Sequence, residues 1–365
     1  MLSHRENLIK TLSRKGFDFV PVDFEFCDSQ IEAFKRRFGH EDYPSYLGMS
    51  HRLLFLEAHK KFIDGKKLFR RENLPADTEF DELGIGRSSG SEFAFHMKRM
   101  HHPLKGAQSK NEISDYPFPE ARLEDNQKLI KDIKSLHNKG IAVNARCEMT
   151  IWEASWYIRS MDELLVDMMT EDEKAEILLD KITDYACQRV EVFTKAGVDI
   201  LSIGDDIGMQ TGPLISIDLW KTWLKPRLIR VINTARRINP DILINYHSCG
   251  NITEFLFDLA ETGIDIINPV QQECMKFDQA YDMVGDKVAF WGTIGTQQLL
   301  PFGSPEEIRK ECLSRLEKCG DKGGIVLGPT HLVEPEVPWE NILALVQAAR
   351  EWSGAENTNK FNYLK

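Results

Sequence analysis

Short apolar runs bounded by turn residues alternate with helical patterns along most of the chain. Seven strands are predicted from these runs: Phe19–Glu25, Ile141–Cys147, Val198–Gly204, Ile242–His247, Ile264–Pro269, Val288–Thr293 and Gly324–Pro329. Between them, apolar residues recur at helical spacing, most clearly in Pro305–Cys319 and Trp339–Trp352. Continuous apolar runs are typical of parallel strands that are buried on both faces, so the alternation predicts βαβ units.

An eighth strand would close these units into a barrel, and we expect it in the irregular region Asp77–Phe95. The prediction is an α/β protein with a (β/α)8 TIM barrel and an irregular N-terminal region. The competing arrangement is an open doubly wound sheet, but Gly84-Ile-Gly86 lacks the strand and the later glycine of a dinucleotide-binding turn. We therefore expect a single domain over residues 1–365, irregular over about 1–120 and with regular repeats over 121–352.

The charge balance argues against two classes of partner. Lys and Arg number 46 against 57 Asp and Glu, so the net charge is −11 at pH 7. Nucleic acids and anionic membrane surfaces require a basic face, so neither is expected as a partner. No apolar run reaches the roughly 20 residues of a membrane span, and the start lacks a secretory apolar core. We expect a cytoplasmic protein without disulfides, in which most of the 7 cysteines are small buried side chains.

Polar and metal-binding side chains follow several of the predicted strands. A barrel places its reactive groups at the carboxyl ends of the strands, so these positions are the candidates for chemistry. The residues in question are Glu148, Asp205, Asp206, His247, Cys249 and His331. We expect them to share one rim of the barrel.

The segment His247-Ser248-Cys249-Gly250 contains the donors of a zinc site. One residue between two ligands lets both face the same ion, particularly where a glycine frees the backbone. Imidazole nitrogen and thiolate sulfur suit Zn²⁺, and three protein ligands with one open position are typical of catalytic zinc. His331 follows the last strand and is predicted as the third ligand. The alternative interpretation is a buried cysteine beside a hydrogen-bonded core histidine.

Three acids are candidates for catalysis. Asp205 and Asp206 follow one strand and Glu148 follows the preceding strand. Such carboxylates can transfer protons or orient a ligating histidine, and one of them could supply a further metal ligand. Adjacent acids also cap helices, and Arg146 is a plausible structural partner of Glu148. Both interpretations stay open at this point.

Five segments together resemble the uroporphyrinogen decarboxylase superfamily. They are Gly204-Asp-Asp-Ile-Gly-Met-Gln-Thr-Gly-Pro, His247-Ser-Cys-Gly-Asn-Ile, Leu299-Leu-Pro-Phe-Gly-Ser-Pro-Glu-Glu, Gly324-Ile-Val-Leu-Gly-Pro-Thr-His and Val337-Pro-Trp-Glu-Asn-Ile. The resemblance runs over nearly the whole chain and implies a single (β/α)8 barrel, in agreement with the strand pattern.

The superfamily implies one of two chemistries. Its decarboxylases use no metal and bind substrate carboxylates through N-terminal arginines, but the segment Phe-Cys-Asp-Ser-Gln-Ile after Glu25 lacks that arginine-rich signature. Its zinc methyltransferases work with corrinoid proteins and carry His-x-Cys after a middle strand and a further Cys after the last. His247 and Cys249 match the first pair, whereas His331 stands where the further Cys is expected.

The resemblance to the second branch predicts a corrinoid-dependent methyltransferase that acts on a small-molecule substrate, for example an O-methyl compound. Zinc on His247, Cys249 and His331 would act as a Lewis acid. The chain has no Asp-x-His-x-x-Gly sequence for cobalt, so a partner protein must carry the corrinoid. The alternatives are a cofactor-free decarboxylase of uroporphyrinogen or a related polycarboxylate, and a non-catalytic barrel that binds a corrinoid or tetrapyrrole. A homodimer is compatible with either class.

Overall fold

Seven parallel strands form one sheet, and their order in the sheet follows their order along the chain. The computed structural model describes residues 2–56, 65–69, 73–90 and 98–354. The strands are β1 (His51–Leu54), β2 (Glu79–Phe80), β3 (Gly86–Ser88), β4 (Arg99–His101), β5 (Ala142–Arg146), β6 (Ile200–Gly204), β7 (Leu243–His247), β8 (Ile266–Asn268), β9 (Ala289–Trp291) and β10 (Ile325–Val326). Strands β1 and β5 to β10 form the parallel sheet, and β2 to β4 form a small antiparallel one.

Residues 20–26 provide one more parallel segment beside β10. Val22 forms a parallel bridge with Leu327, and the backbone N–H of Asp23 donates to the carbonyl of Leu327 at 2.9 Å. On the side of this segment away from β10, Oδ1 of Asp23 lies 3.4 Å from Nε2 of His51 in β1, so side chains of the segment and of β1 contact each other. The predicted α/β class and TIM barrel are confirmed, with the first strand where the pattern placed it.

The prediction of a barrel strand within Asp77–Phe95 is wrong. Residues 77–90 carry β2 and β3 of the antiparallel sheet, and residues 91–95 lie outside the described residues. The missing barrel strand is β1. It has only 4 residues and begins with His51 and Arg52, which line an internal cavity, so it lacks the continuous apolar run that marks the other strands.

Helices cover the sheet between consecutive strands. The α-helices are α1 (His4–Leu12), α2 (Asp28–Phe38), α3 (Tyr43–Leu47), α4 (Lys110–Ser114), α5 (Gln127–Asn138), α6 (Trp152–Arg159), α7 (Met161–Met169), α8 (Glu173–Ala196), α9 (Ile217–Leu219), α10 (Lys225–Ile238), α11 (Leu256–Glu261), α12 (Phe277–Val284), α13 (Leu299–Phe302), α14 (Pro305–Cys319) and α15 (Trp339–Trp352). Among the described helices, none combines the length and the apolar character that a membrane crossing requires. All 7 cysteines are free thiols. Only Cys147, Cys312 and Cys319 are buried, so the expectation that most of them are buried is wrong.

Local chemistry explains why α14 and α15 have their predicted bounds. The Ser304 side chain accepts from the backbone N–H of Glu307, whose carboxylate in turn accepts from the N–H of Ser304, which is a capping box. Pro305 occupies the first helical position, where its missing N–H costs nothing. Pro338 precedes α15 and holds the extended conformation from which that helix starts.

Alternation along the strands stacks the barrel interior in layers, because residues two positions apart face the same side. The lower layer is apolar and packs against Leu8 and Leu12 of α1; its strand residues are Ala142, Ile200, Leu243, Ile266, Ala289 and Val326. Two positions further along four of these strands stand the polar side chains Asn144, Ser202, Asn245 and Asn268. The interior is therefore sealed at one end and polar towards the other.

We expect substitution of Phe34 by alanine to destabilise the fold by about 3–5 kcal/mol. Phe34 is fully buried, and its ring centroid lies 5.2 Å from that of Tyr46 and 5.6 Å from that of Trp339, so the truncation leaves a cavity between α2, α3 and α15. Denaturant unfolding measures the change. Phe257→Ala is the control, since this side chain is 51% exposed and its loss should change the free energy of unfolding by less than about 0.5 kcal/mol.

Candidate active site

A cavity of about 590 Å³ lies inside the barrel and opens at the carboxyl ends of the strands. A second recess of about 700 Å³ adjoins it and is lined by Asp206 and Cys249. His331 lines both. The polar residues of the first cavity that matter for its chemistry are Asp23, Glu25, His51, Arg52, Asn144, Arg146, Glu148, Ser202, Asn245, His247 and Asn268. The sequence-predicted rim residues Glu148, His247 and His331 therefore share one cavity.

A hydrogen-bonded wall of three side chains lines the cavity below His247. Asn245 Nδ2 donates to Ser202 Oγ at 2.8 Å, and Ser202 Oγ donates to Asn144 Oδ1 at 2.9 Å. These residues belong to the adjacent strands β7, β6 and β5, so the wall ties the three strands together. His247 lies two positions beyond Asn245 on the same face of β7 and stands directly above this wall.

Asn268 determines which ring nitrogen of His247 has a lone pair available to bind a metal ion. The Asn268 amide nitrogen donates to the carbonyl of Trp291 at 2.8 Å, so its Oδ1 must face His247, where it lies 2.6 Å from Nδ1. An amide oxygen can only accept a hydrogen bond, so Nδ1 of His247 carries a proton. In the neutral imidazole the lone pair is then on Nε2, which faces Cys249 and Asp206.

Two tight loops bring Asp206 and Cys249 together. The backbone N–H of Cys249 donates to Asp206 Oδ1 at 2.7 Å. Gly250 has a φ of +83°, and a Cβ there would lie 2.6 Å from the carbonyl carbon of Gly208. Only glycine permits this backbone conformation at so close an approach. The glycines thus allow the loop after β6 to lie against the loop after β7.

The ligand atoms of Asp206, His247 and Cys249 all lie within 4.8 Å of one another. Nε2 of His247 is 3.6 Å from Sγ of Cys249 and 3.9 Å from Oδ1 of Asp206. A tetrahedral zinc ion with bonds of about 2.1 Å to nitrogen and about 2.3 Å to sulfur would place the nitrogen and the sulfur about 3.6 Å apart, as Nε2 of His247 and Sγ of Cys249 are. The donor set of imidazole, thiolate and carboxylate therefore fits zinc in both chemistry and spacing.

The electrostatics of this cluster favour a cation. Burial alone would lower the pKa of His247, but the hydrogen bond with Cys249 and the charges of Glu148, Cys249 and Asp206 outweigh it and raise this pKa to about 10. The same negative field that holds a proton on the imidazole attracts a metal ion, which then competes with that proton.

The predicted ligand His331 lies on the rim but outside this three-residue group. It is exposed and lines both the cavity and the recess. Its role as a zinc ligand stays a prediction. Asp206, named in the sequence analysis as a catalytic acid and as one candidate for a further ligand, occupies the position beside the two expected ligands instead.

Asp205 and Glu148 occupy different environments. Asp205 is buried, and its carboxylate accepts from the backbone N–H groups of Ile151 at 3.0 Å and of Glu153 at 2.9 Å at the start of α6. Burial raises the pKa of Asp205 to about 6 despite these bonds. Its carboxylate thus positions α6, the helix of the preceding unit rather than the following one. Glu148 lines the cavity and pairs with Nε of Arg146 at 3.1 Å.

Sequence reasoning missed Glu153 and Asp23, because neither follows a strand. Glu153 lies in α6; its carboxylate accepts from Tyr157 Oη at 2.8 Å and from the backbone N–H of Asp206 at 3.2 Å. Burial and the charges of Asp205 and Asp206 raise the pKa of Glu153 to about 8. Asp23 lies within the first strand segment and accepts from Trp291 Nε1 at 2.8 Å. An acid inside an otherwise apolar run was the available signal for Asp23.

Comparison with known proteins identifies relatives with two activities. A family model described as "Uroporphyrinogen decarboxylase (URO-D)" matches residues 79–352. "Methylcobamide:CoM methyltransferase MtaA" of Methanosarcina barkeri is 28% identical over 178 residues, which are 48% of this chain and 49% of that protein. "Uroporphyrinogen decarboxylase" of Legionella pneumophila (strain Corby) is 28% identical over 256 residues, which are 69% of this chain and 68% of that protein.

A further relative and a solved structure extend this comparison. "Methylated-thiol--coenzyme M methyltransferase" of Methanosarcina mazei is 27% identical over 188 residues, 50% of this chain and 46% of that protein. The chain thus spans about half the length of the methyltransferases it matches. A solved methyltransferase from Methanosarcina mazei superposes with a TM-score of 0.69 over 96% of this chain and 99% of that chain, at 18% identity, which shows a common fold.

The raised pKa of Glu153 predicts a loss of stability with increasing pH. The folded state holds the Glu153 proton more tightly than the unfolded chain, so this contribution is complete below about pH 4.5 and is lost as pH rises through about 8. Between pH 5 and pH 9, the free energy of unfolding of the metal-free wild-type protein should fall by about 2–4 kcal/mol relative to that of Glu153→Gln, whose side chain cannot ionise. Denaturant unfolding across this range measures the difference.

Glu317→Gln serves as the control, because Glu317 is an exposed glutamate on α14. Its stability should follow that of the wild type at every pH. If the free energy of unfolding of the wild type changed with pH in parallel with that of Glu153→Gln, the raised pKa assigned to Glu153 would be contradicted.

Proposed function

This chain belongs to the uroporphyrinogen decarboxylase family, and we propose that it is a methyltransferase that moves a methyl group from a small-molecule methyl ether to the corrinoid of a partner protein. The observation that carries the proposal is the convergence of Asp206, His247 and Cys249 at the mouth of the barrel. The presence of methyltransferases among the relatives supports it.

Zinc is the metal that this donor set favours. Nε2 of His247, Sγ of Cys249 and a carboxylate oxygen of Asp206 would hold it, with His331 as the alternative third ligand. Zinc bound there would act as a Lewis acid on the ether oxygen and make it a better leaving group. A fourth position open to substrate would be consistent with a catalytic rather than a structural site.

The residues of the chain would prepare the methyl transfer in two ways: they orient the ring of His247, and they supply a proton to the departing oxygen. Asn268 holds the ring of His247 with Nε2 towards the mouth. Glu148 lines the cavity, and we propose it as the group that holds or delivers a proton; Asp206, in the adjoining recess, would share this role if His331 is the third zinc ligand. In the proposed reaction the corrinoid of the partner protein would accept the methyl group and supply the new bonding pair. The ether oxygen keeps the old pair and takes up one proton, so that an alcohol or phenol leaves.

Two competing functions are separable by experiment. A cofactor-free decarboxylase would remove carboxylates stepwise from uroporphyrinogen, and chromatography of the oxidised porphyrins would detect each loss. A non-catalytic barrel would bind a corrinoid or tetrapyrrole without turnover. For the proposed function, mixing the protein with cob(I)alamin and a methyl ether should produce methylcobalamin, which its absorption spectrum reports. Carboxylate loss without methylcobalamin would replace the proposal by the decarboxylase.

The zinc content of purified variants tests the ligand assignment. We expect about one zinc ion per wild-type chain and loss of most of it in His247→Ala. Asp206→Asn and His331→Ala decide the third ligand, because only the variant that lacks a true ligand should lose zinc. His40→Ala is the control, since His40 follows α2 and lines neither the cavity nor the recess. Unchanged zinc in His247→Ala would remove the metal site from the proposal.

Asn268→Leu tests the orientation of the His247 ring. The substitution keeps the approximate volume but removes the acceptor of the Nδ1 proton, so zinc affinity should fall about 10–100-fold. Competition with a chromogenic chelator measures the affinity. The matched control is Asn111→Leu at an exposed position of α4, which should bind zinc as the wild type does. Equal affinity in Asn268→Leu would mean that this hydrogen bond does not orient the ligand.

A further inference from the structure

The cavity wall contains a buried hydrogen-bond acceptor that lacks a partner. Asn245 is 3% exposed and lines the cavity. Its Nδ2 donates to Ser202 Oγ, which leaves Oδ1 with no hydrogen-bond partner among the described residues. A buried carbonyl oxygen without a donor costs free energy, so such groups in a cavity are commonly satisfied by the ligand. The group that completes this wall must be an N–H or O–H donor.

Asp23 places on the cavity wall a carboxylate that forms no ion pair with a described arginine or lysine. Its two contacts are the indole N–H of Trp291 at 2.8 Å and Nε2 of His51 at 3.4 Å. Burial lowers the pKa of His51, so its imidazole is neutral near pH 7. Among the described residues, Asp23 therefore contacts only uncharged groups directly, and Arg146 acts on its carboxylate at longer range, as it does on Glu25 and Glu148. The Asp23 side chain is 25% exposed, so an incoming group can reach it.

The two arginines of the cavity are already engaged. Arg146 donates to Glu25 at 3.0 Å and pairs with Glu148 at 3.1 Å, so two carboxylates share one guanidinium.

Arg52 donates to the carbonyl of His51 at 2.8 Å and to Ser45 Oγ at 2.6 Å, and it lies 3.5 Å from the carboxylate of Asp42. Asp42 does not line the cavity. In the part of the chain that the structure describes, the cavity side chains thus offer three carboxylates, from Asp23, Glu25 and Glu148. Against them stand Arg146, His247 with its raised pKa, and the Arg52 guanidinium, which is engaged elsewhere. With Arg52 set against Asp42, the three carboxylates still exceed the two remaining cations by one, so the field inside is negative.

From these contacts we propose that the cavity selects a substrate with an N–H or O–H donor and no negative charge, in the order ammonium before hydroxyl before carboxylate, and that Asp23 sets this preference. Asn245 accepts a hydrogen bond from the ligand, and Asp23 supplies the charge discrimination. The description of the ligand as a methyl donor rests on the proposed function, whereas the order of binding does not. Anionic substrates, including polycarboxylates, are disfavoured by the same field.

Three probes that differ in one substituent test this order: 3-methoxybenzylamine, 3-methoxybenzyl alcohol and 3-methoxybenzoate. Isothermal titration of the purified full chain, without corrinoid, gives their dissociation constants at pH 7 and low salt. The amine should bind at least about 10-fold more tightly than the benzoate, with the alcohol between them. Because no methyl transfer is required, an inactive methyltransferase would leave this result readable.

Variants assign the effect to the two residues. Asp23→Asn keeps the shape but removes the charge, so the ratio of amine to benzoate affinity should fall about 5-fold or more. Asn245→Leu removes the acceptor and should weaken the amine and the alcohol by similar factors, so the ratio of amine to alcohol affinity should stay as in the wild type while the benzoate affinity is unaffected. Asp286→Asn is the matched control: Asp286 is exposed and precedes β9, so it lies at the opposite end of the barrel and should alter none of the three affinities.

The proposal is overturned if the benzoate binds as tightly as the amine, or if none of the three probes binds at millimolar concentration. It is also overturned if the ratio survives in Asp23→Asn, provided that circular dichroism shows this variant to be folded. Loss of discrimination in Asp23→Asn with retention in Asp286→Asn would support the assignment.

Discussion

The hydrogen bond between Nδ1 of His247 and Oδ1 of Asn268 is the interaction on which the rest of the site depends. Trp291 fixes the orientation of the Asn268 amide through its backbone carbonyl, so three consecutive strands, β7, β8 and β9, cooperate to set one tautomer. Without that bond the lone pair of the imidazole would have no preferred direction. With it, Nε2 faces the thiol of Cys249 and the carboxylate of Asp206, and a side chain at a strand end becomes a directed ligand.

The layered interior of the barrel explains why this site is open on one side only. An apolar layer and α1 seal the amino-terminal end, because Leu8 and Leu12 pack against strand residues that face inwards. Above it, asparagine and serine side chains satisfy one another and leave Asn245 Oδ1 as a free acceptor within the described wall. Burying so many polar groups is tolerable only where they are paired with each other or with a ligand. The polarity of the wall is therefore evidence of a binding function.

Two regions that suit different ligands lie side by side at the mouth of the barrel. The Asp206–His247–Cys249 group suits a divalent cation, whereas the wall that carries Asp23 and Asn245 suits a donor group of an organic molecule. Their proximity gives the proposed reaction both an activating ion and a pocket for the molecule that is activated. The same family includes decarboxylases, so the fold alone does not select the chemistry, which depends on these side chains.

The sequence by itself determined the barrel and the candidate ligands His247 and Cys249, because buried parallel strands leave continuous apolar runs and reactive groups follow their ends. It misplaced the eighth strand, since β1 is short and begins with the polar residues His51 and Arg52. Only the tertiary structure decided that Asp206 lies beside the two candidate ligands while His331 stays on the rim, and that Asp205 caps a helix of the preceding unit. Those outcomes depend on how separate loops approach one another, and local hydrophobic patterns carry no information about distances between loops.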